Sequence, residues 1–177
     1  MSPPDSLPVV ETFHSLQGEG HHCGRSAFFI RLAGCKVGCT WCDTKHSWPL
    51  EHHPRRSIDA LAQEAVEAAR NGAAFTVITG GEPLHHDLSR LTDVLAEHGN
   101  ETHLETSGVD RLSGSPDWIT LSPKRHSPPR TELLQRCDEL KVVIHTADDL
   151  LFAESMAAVV SKQTVLLLQP SWDSPEG

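Results

Sequence analysis

The sequence predicts an α/β protein, an open partial (β/α) barrel built on a mostly parallel sheet. Three observations carry this expectation. From residue 26 onward, short apolar runs rich in β-branched residues alternate with amphipathic stretches of helical period, the pattern of successive βα units. Polar motifs containing glycine or proline follow four of those runs, and parallel α/β sheets bind ligands beyond the carboxyl ends of their strands. The chain, 1–177, has the length of one domain but falls short of the ~250 residues of a closed eightfold barrel.

Residues 9–13 read as a short strand. It runs into His14-Ser15-Leu16-Gln17-Gly18-Glu19-Gly20, a glycine-punctuated loop where backbone can approach a ligand closely. Residues 26–33 form an apolar run with one charge, Arg31. A guanidinium buried there demands an anionic partner, either a protein carboxylate or that of a substrate. A polar stretch, 45–56, precedes Ser57, which is placed to cap a helix over Ile58–Arg70 with apolar residues at 58, 61, 65, 66 and 69 and a stop at Asn71-Gly72.

Residues 74–79 are the next strand, ending in Gly80-Gly81-Glu82-Pro83, and 88–97 a second amphipathic helix closed by Gly99-Asn100. Thr102–Thr106 is a strand before Ser107-Gly108, and Trp118–Leu121 a strand before Ser122-Pro123-Lys124. A helical turn over Thr131–Arg136, a strand at 140–144, a helix at 148–160 and a strand at 164–168 before Gln169-Pro170 complete the array.

Composition narrows the function classes. A net charge of −9 argues against a nucleic-acid partner held through phosphates. No apolar stretch approaches the ~20 residues of a membrane span and the first residues lack the pattern of a signal peptide, so no membrane partner and a cytoplasmic location are expected. Five cysteines, three of them clustered, fit metal-bound thiolates in a reducing compartment better than a disulfide framework. Among twelve histidines the pairs His21-His22, His52-His53 and His85-His86 sit among turn residues and read as solvated surface. Cys23 and Cys137 read as ordinary.

The chemistry centres on Cys35, Cys39 and Cys42, in a C-x3-C-x2-C spacing with no fourth cysteine nearby. Thiolates are soft ligands for zinc or iron–sulfur clusters. A closed zinc site or an ordinary 4Fe–4S cluster takes four protein ligands. Three therefore suggest a cluster with one iron left open, against the alternative of a zinc knuckle completed by a distant histidine or by Cys23.

With Gly80-Gly81-Glu82-Pro83 downstream, these cysteines resemble the hallmark of the radical S-adenosylmethionine (SAM) enzymes. Ser15-Leu16-Gln17-Gly18-Glu19-Gly20, Arg31 to Cys35, Cys42-Asp43-Thr44, Glu105-Thr106-Ser107-Gly108 and Ser122-Pro123-Lys124 are similar to motifs of its 7-carboxy-7-deazaguanine synthase family. The resemblance implies a shortened radical-SAM core in which Cys35, Cys39 and Cys42 hold a 4Fe–4S cluster whose open iron binds SAM. It implies SAM contacts at Gly81, Ser107, Ser122, Pro123, Lys124 and Gln169. It implies a pterin substrate, 6-carboxy-5,6,7,8-tetrahydropterin, held by Leu16, Gln17, Gly18, Arg31 and Thr79, and a magnesium ion on Thr44. A lyase reaction with loss of ammonia follows, together with an electron donor such as flavodoxin or ferredoxin, a homodimer, and a further C-terminal segment capping the substrate. Two other readings stand beside it: a radical-SAM activase that makes a glycyl radical on a partner protein, and a non-catalytic zinc or iron–sulfur protein.

Overall fold

The computed structural model describes residues 4–171. Eight strands form one sheet: β1 (Ser6–Leu16), β2 (Ser26–Leu32), β3 (Arg55–Ser57), β4 (Phe75–Gly80), β5 (Thr102–Thr106), β6 (Trp118–Leu121), β7 (Glu139–Ile144) and β8 (Val165–Pro170). Their order is β3-β1-β2-β4-β5-β6-β7-β8, parallel from β2 to β8, with β1 antiparallel to both β2 and β3. The end strands do not pair with each other, so the barrel stays open. The helices are α1 (Ile58–Arg70), α2 (Ser89–Glu97), α3 (Thr131–Arg136) and α4 (Ala147–Ala157). No helix among the described residues is long and apolar enough to cross a membrane.

Strand periodicity of two explains the layers. Ile30 and Leu32 of β2, Ile78 of β4, Leu104 of β5, Leu121 of β6 and Val142 of β7 point one way and bury against the helices in the main core. The opposite parity builds a second face, which changes character along the strands. At their amino ends Ala27, Phe29, Phe75 and Val77 form a small apolar cluster backed by Phe13. Toward the carboxyl ends the same face carries Arg31 opposite Thr79, and Glu105 opposite Thr120. The sheet is thus apolar where it must be filled and polar where it meets a ligand.

α1 begins and ends as its sequence predicts: Ser57 accepts a hydrogen bond from Ala60 N–H at 3.2 Å, and Asn71 closes the last turn. Four expectations need correction. The first strand runs over Ser6–Leu16 rather than 9–13, because pairing with β2 continues to Leu16↔Ser26 and carries residues read as loop into a hairpin arm. β3 lies inside the stretch read as merely polar. Its three residues pair with Ser6–Pro8, and Arg56 is held by Thr12 and Glu64. The last helix ends at Ala157, short of β-branched Val159 and Val160, which fit a helix poorly. The paired histidines are not uniformly solvated: His22 is half-buried, its ring 4.6 Å from that of His103 and 4.5 Å from that of Trp118 between centroids.

Candidate active site

The carboxyl ends of the strands open onto a cavity of about 620 Å³, within the ~300–1,000 Å³ usual for small-molecule sites. All four motifs predicted to meet there do so. The loop after β2 brings Cys35, Cys39, Cys42 and Thr44, the end of β4 brings Thr79 and Gly81, β5 brings Ser107, and β6 brings Ser122 and Lys124. Gln169 on β8 closes the far wall.

The cysteine loop is pinned at its root. Gly81 N–H donates to Leu32 O and Glu82 N–H to Gly34 O, both at 2.9 Å, while Gly34 N–H reaches Ser47 O at 2.7 Å. This approach is why two glycines are needed: a Cβ on Gly80, whose φ is +128°, would lie 2.2 Å from Leu32 O. His86 Nε2 bonds Ala33 O at 2.8 Å and His85 Nε2 accepts from Lys36 N–H at 3.1 Å, so this histidine pair supports the loop instead of facing solvent. Glu82 is 1% exposed and accepts from Leu84 N–H, Thr106 Oγ1, Ser107 N–H and Ser107 Oγ, which ties the ends of β4 and β5 together. Its lone pairs are committed within the fold.

The three thiols line the cavity without a fourth cysteine. Cys23 is exposed, its Sγ donating to Gly18 O at 3.4 Å, and Cys137 is buried elsewhere, its thiol pushed up to about 11 by desolvation. Burial raises the thiols of Cys35 and Cys39, opposed at Cys35 by the amides of Val37 and Gly38 and at Cys39 by the charge of Lys124. Among the described residues no three His, Cys, Asp or Glu side chains gather closely enough to hold a single metal ion. Three soft donors on one loop, beside a cation and open cavity, are a donor set that fits a 4Fe–4S cluster with one free iron. Thr44 Oγ1 lies 3.6 Å from Cys42 Sγ and on the cavity wall, where a hydroxyl can also meet a hard cation.

The remaining wall is charged. Glu105 accepts from Gln17 Nε2 at 2.9 Å and from Thr79 Oγ1 at 2.8 Å. Lys141 Nζ pairs with Glu19 Oε1 at 2.6 Å. Burial works to raise the Glu19 carboxyl, but the Lys141 pair and its hydrogen bond hold it below the usual carboxylate range. Behind this wall and off the cavity itself, burial pushes the Glu139 carboxyl above that range, only partly offset by the His21 amide. Burial lowers the Lys124 ammonium, which donates to Ser122 Oγ at 2.8 Å.

Of the other predicted residues, Gln17 is buried behind the wall through Glu105, and Pro123 is buried beneath the Ser122–Lys124 turn. Leu16 is 62% exposed, and neither it nor Gly18 lines the cavity. Arg31 does not line it either: its Nε bonds Glu11 Oε1 at 2.8 Å across the β1–β2 pair. The protein-carboxylate alternative for that guanidinium is therefore met in the fold. The capping segment expected past the last strand lies outside the described residues. Glu105 and Lys141 line the cavity and were not among the site residues expected from the sequence. Glu105 is the one acidic or basic charge of β5, the same signal that singled out Arg31, and Lys141 is one of two in β7.

The Radical SAM superfamily profile matches residues 29–137. The chain is 54% identical to the 7-carboxy-7-deazaguanine synthase of Prochlorococcus marinus, over 97% of this chain and 86% of that one. It is 50% identical to that of Synechocystis sp., over 96% and 80%, and 36% identical to that of Escherichia coli, over 92% and 84%. The crystal structure of QueE from Escherichia coli superposes with a TM-score of 0.84 at 35% identity, covering 95% of this chain and 84% of that one.

Proposed function

The chain belongs to the radical SAM superfamily and, within it, to the 7-carboxy-7-deazaguanine synthases, and on that premise we propose how its residues divide the work. The enzyme is a carbon–nitrogen lyase that converts 6-carboxy-5,6,7,8-tetrahydropterin to 7-carboxy-7-deazaguanine with loss of ammonia. The observation that carries the reading is the meeting of the three cysteines with the Gly81, Ser107 and Ser122–Lys124 strand ends in one cavity.

Cys35, Cys39 and Cys42 hold the 4Fe–4S cluster. Gly81, Ser107, Ser122, Pro123, Lys124 and Gln169 hold SAM. When bound, cluster and SAM supply a 5′-deoxyadenosyl radical, and the protein's task is to orient the substrate and exclude side reactions. Lys124, half-buried on the cavity wall beside Cys39, offsets part of the thiolate charge.

Glu105 faces the donors of the pterin's aminopyrimidine edge. Two carboxylate oxygens carry about four lone pairs, so those left after Gln17 and Thr79 still accept. Leu16 and Gly18 flank Gln17 and set its backbone. Arg31, of which only Nε is bonded among the described residues, turns its terminal nitrogens to the substrate carboxylate, where a planar fork is the fitting cation. Thr44, on the cavity wall, would offer its hydroxyl to a magnesium ion, a hard cation suited to oxygen ligands.

The chain acts as one domain, since every strand from Ser6 to Pro170 joins a single sheet. A homodimer is supported by the apolar residues exposed on α4 and edge strand β8: Leu150, Leu151, Leu166 and Leu168. Five unpaired cysteines suit a cytoplasmic setting, with flavodoxin or ferredoxin as electron donor. The activase and structural-metal readings have no observation in their favour.

The test is anaerobic reconstitution with iron and sulfide, then incubation with SAM, magnesium, a reductant and the carboxytetrahydropterin. Formation of 7-carboxy-7-deazaguanine and ammonia is expected. Formation of 5′-deoxyadenosine without that product would overturn the substrate assignment.

A further inference from the structure

The turn after the double glycine carries two histidines, and they grip the cysteine loop on either side of Cys35. His86 Nε2 donates to Ala33 O at 2.8 Å. His85 Nε2 lies 3.1 Å from the backbone nitrogen of Lys36, and because an amide can only donate, that ring nitrogen carries no proton. The proton therefore sits on Nδ1, which bonds Asp110 Oδ2 at 2.5 Å. Asp110 fixes the tautomer and so aims the ring's lone pair at the Lys36 amide.

Neighbouring amides of the same turn point elsewhere. Those of Val37 and Gly38 act on Cys35, opposing the rise that burial gives its thiol. The Lys36 amide, next in the chain to Cys35, is instead taken up by His85. Hydrogen bonds to cluster sulfurs are one of the determinants of reduction potential. Each favours the more negatively charged, reduced cluster, so withholding one keeps the cluster a stronger reductant. A cluster that must pass an electron to SAM needs that.

We propose that the His85–Asp110 pair is a positioning device that holds the cluster potential low by keeping the Lys36 amide away from Cys35. The inference rests on the cluster assignment above. It is specific to this chain's own residues, since both side chains lie outside the cysteine motif and neither lines the cavity.

The experiment is a midpoint titration, followed by electron paramagnetic resonance, of the reconstituted full chain without SAM. In His85→Phe the midpoint is expected to move positive, the reduced-to-oxidised ratio at the wild-type midpoint rising at least about threefold, or ~28 mV for one electron. His85→Gln, whose amide oxygen can accept from Lys36, is expected to stay near wild type. Asp110→Leu, which keeps the ring but frees its tautomer, is expected to fall between. An unchanged midpoint in His85→Phe at equal iron content overturns the proposal, as does an equal shift in the Phe and Gln variants. Where His85→Phe takes up no iron, an unchanged midpoint in Asp110→Leu overturns it instead. Failure of the wild-type chain to form a SAM-responsive cluster would overturn the underlying reading, a different result.

Discussion

A side chain on Gly81 would place its Cβ 2.4 Å from the carbonyl oxygen of Gly34 and 3.1 Å from the Cβ of Cys35. The end of β4 and the root of the cysteine loop therefore lie backbone against backbone, joined by the bonds from Gly81 N–H to Leu32 and Glu82 N–H to Gly34. Gly81→Ala is expected to force them apart. Overpacking costs ~1–3 kcal/mol, and here the obstacle is main chain that cannot rotate away, so the upper end applies. Both Tm and the iron bound per chain after reconstitution should fall. Full iron loading in this variant would show that the loop tolerates the displacement.

Glu105→Gln tests the floor of the substrate site. Its oxygens accept from Gln17 and Thr79, so a Gln amide must turn its NH2 toward one of those donors. Leaving a buried partner unmatched costs ~1–3 kcal/mol, which corresponds to roughly a 5- to 160-fold loss in kcat/KM. Cluster content should be unaffected. An unchanged KM for the pterin would remove Glu105 from the substrate site.

Arg31 separates a structural from a binding role. Its pair with Glu11 is partly exposed, with side chains 21% and 50% accessible, and such pairs contribute under ~1 kcal/mol. Arg31→Lys should therefore leave Tm nearly unchanged. Substrate affinity should drop about tenfold or more if the guanidinium fork grips the pterin carboxylate. Equal affinity in wild type and variant would leave Arg31 as the partner of Glu11 alone.

The array of elements was legible because each carried a local signal: Ser57 and Asn71-Gly72 bracket α1, β-branched runs mark β4 and β7, and an apolar run of leucines marks β8. β3 was not, since Arg55-Arg56-Ser57 has no strand pattern and is extended only because Ser6–Pro8 lies beside it. The same division holds at the site. The cysteines and the strand-end motifs could be read as one site because parallel sheets put strand ends together. That Glu105 stands between Gln17 and Thr79 depends on a pairing 88 residues apart in sequence, and no local pattern encodes it. The histidine pair His85-His86 was misjudged for the same reason: turn residues look solvated until another loop folds over them.

Two buried groups give stability opposite pH slopes. Burial lowers the pKa of His103 from 6.5, against the pull of Glu101, so the unfolded chain binds the proton first as pH falls below 6.5. Stability contributed by the neutral ring is present above 6.5 and is lost toward the lower folded value. Burial raises the Glu139 carboxyl above 4.5, so the folded chain holds its proton longer, and stability is lost as pH rises from 4.5 through the folded value. His103→Phe keeps the stack on Phe75 and leaves Glu101, 46% exposed, to solvent. Its Tm relative to wild type should rise as pH falls below 6.5. Glu139→Gln retains an acceptor for the His21 amide, and its relative Tm should rise instead as pH climbs above 4.5. Differences that stay flat with pH in either variant would mean that the group titrates alike in the folded and unfolded chains.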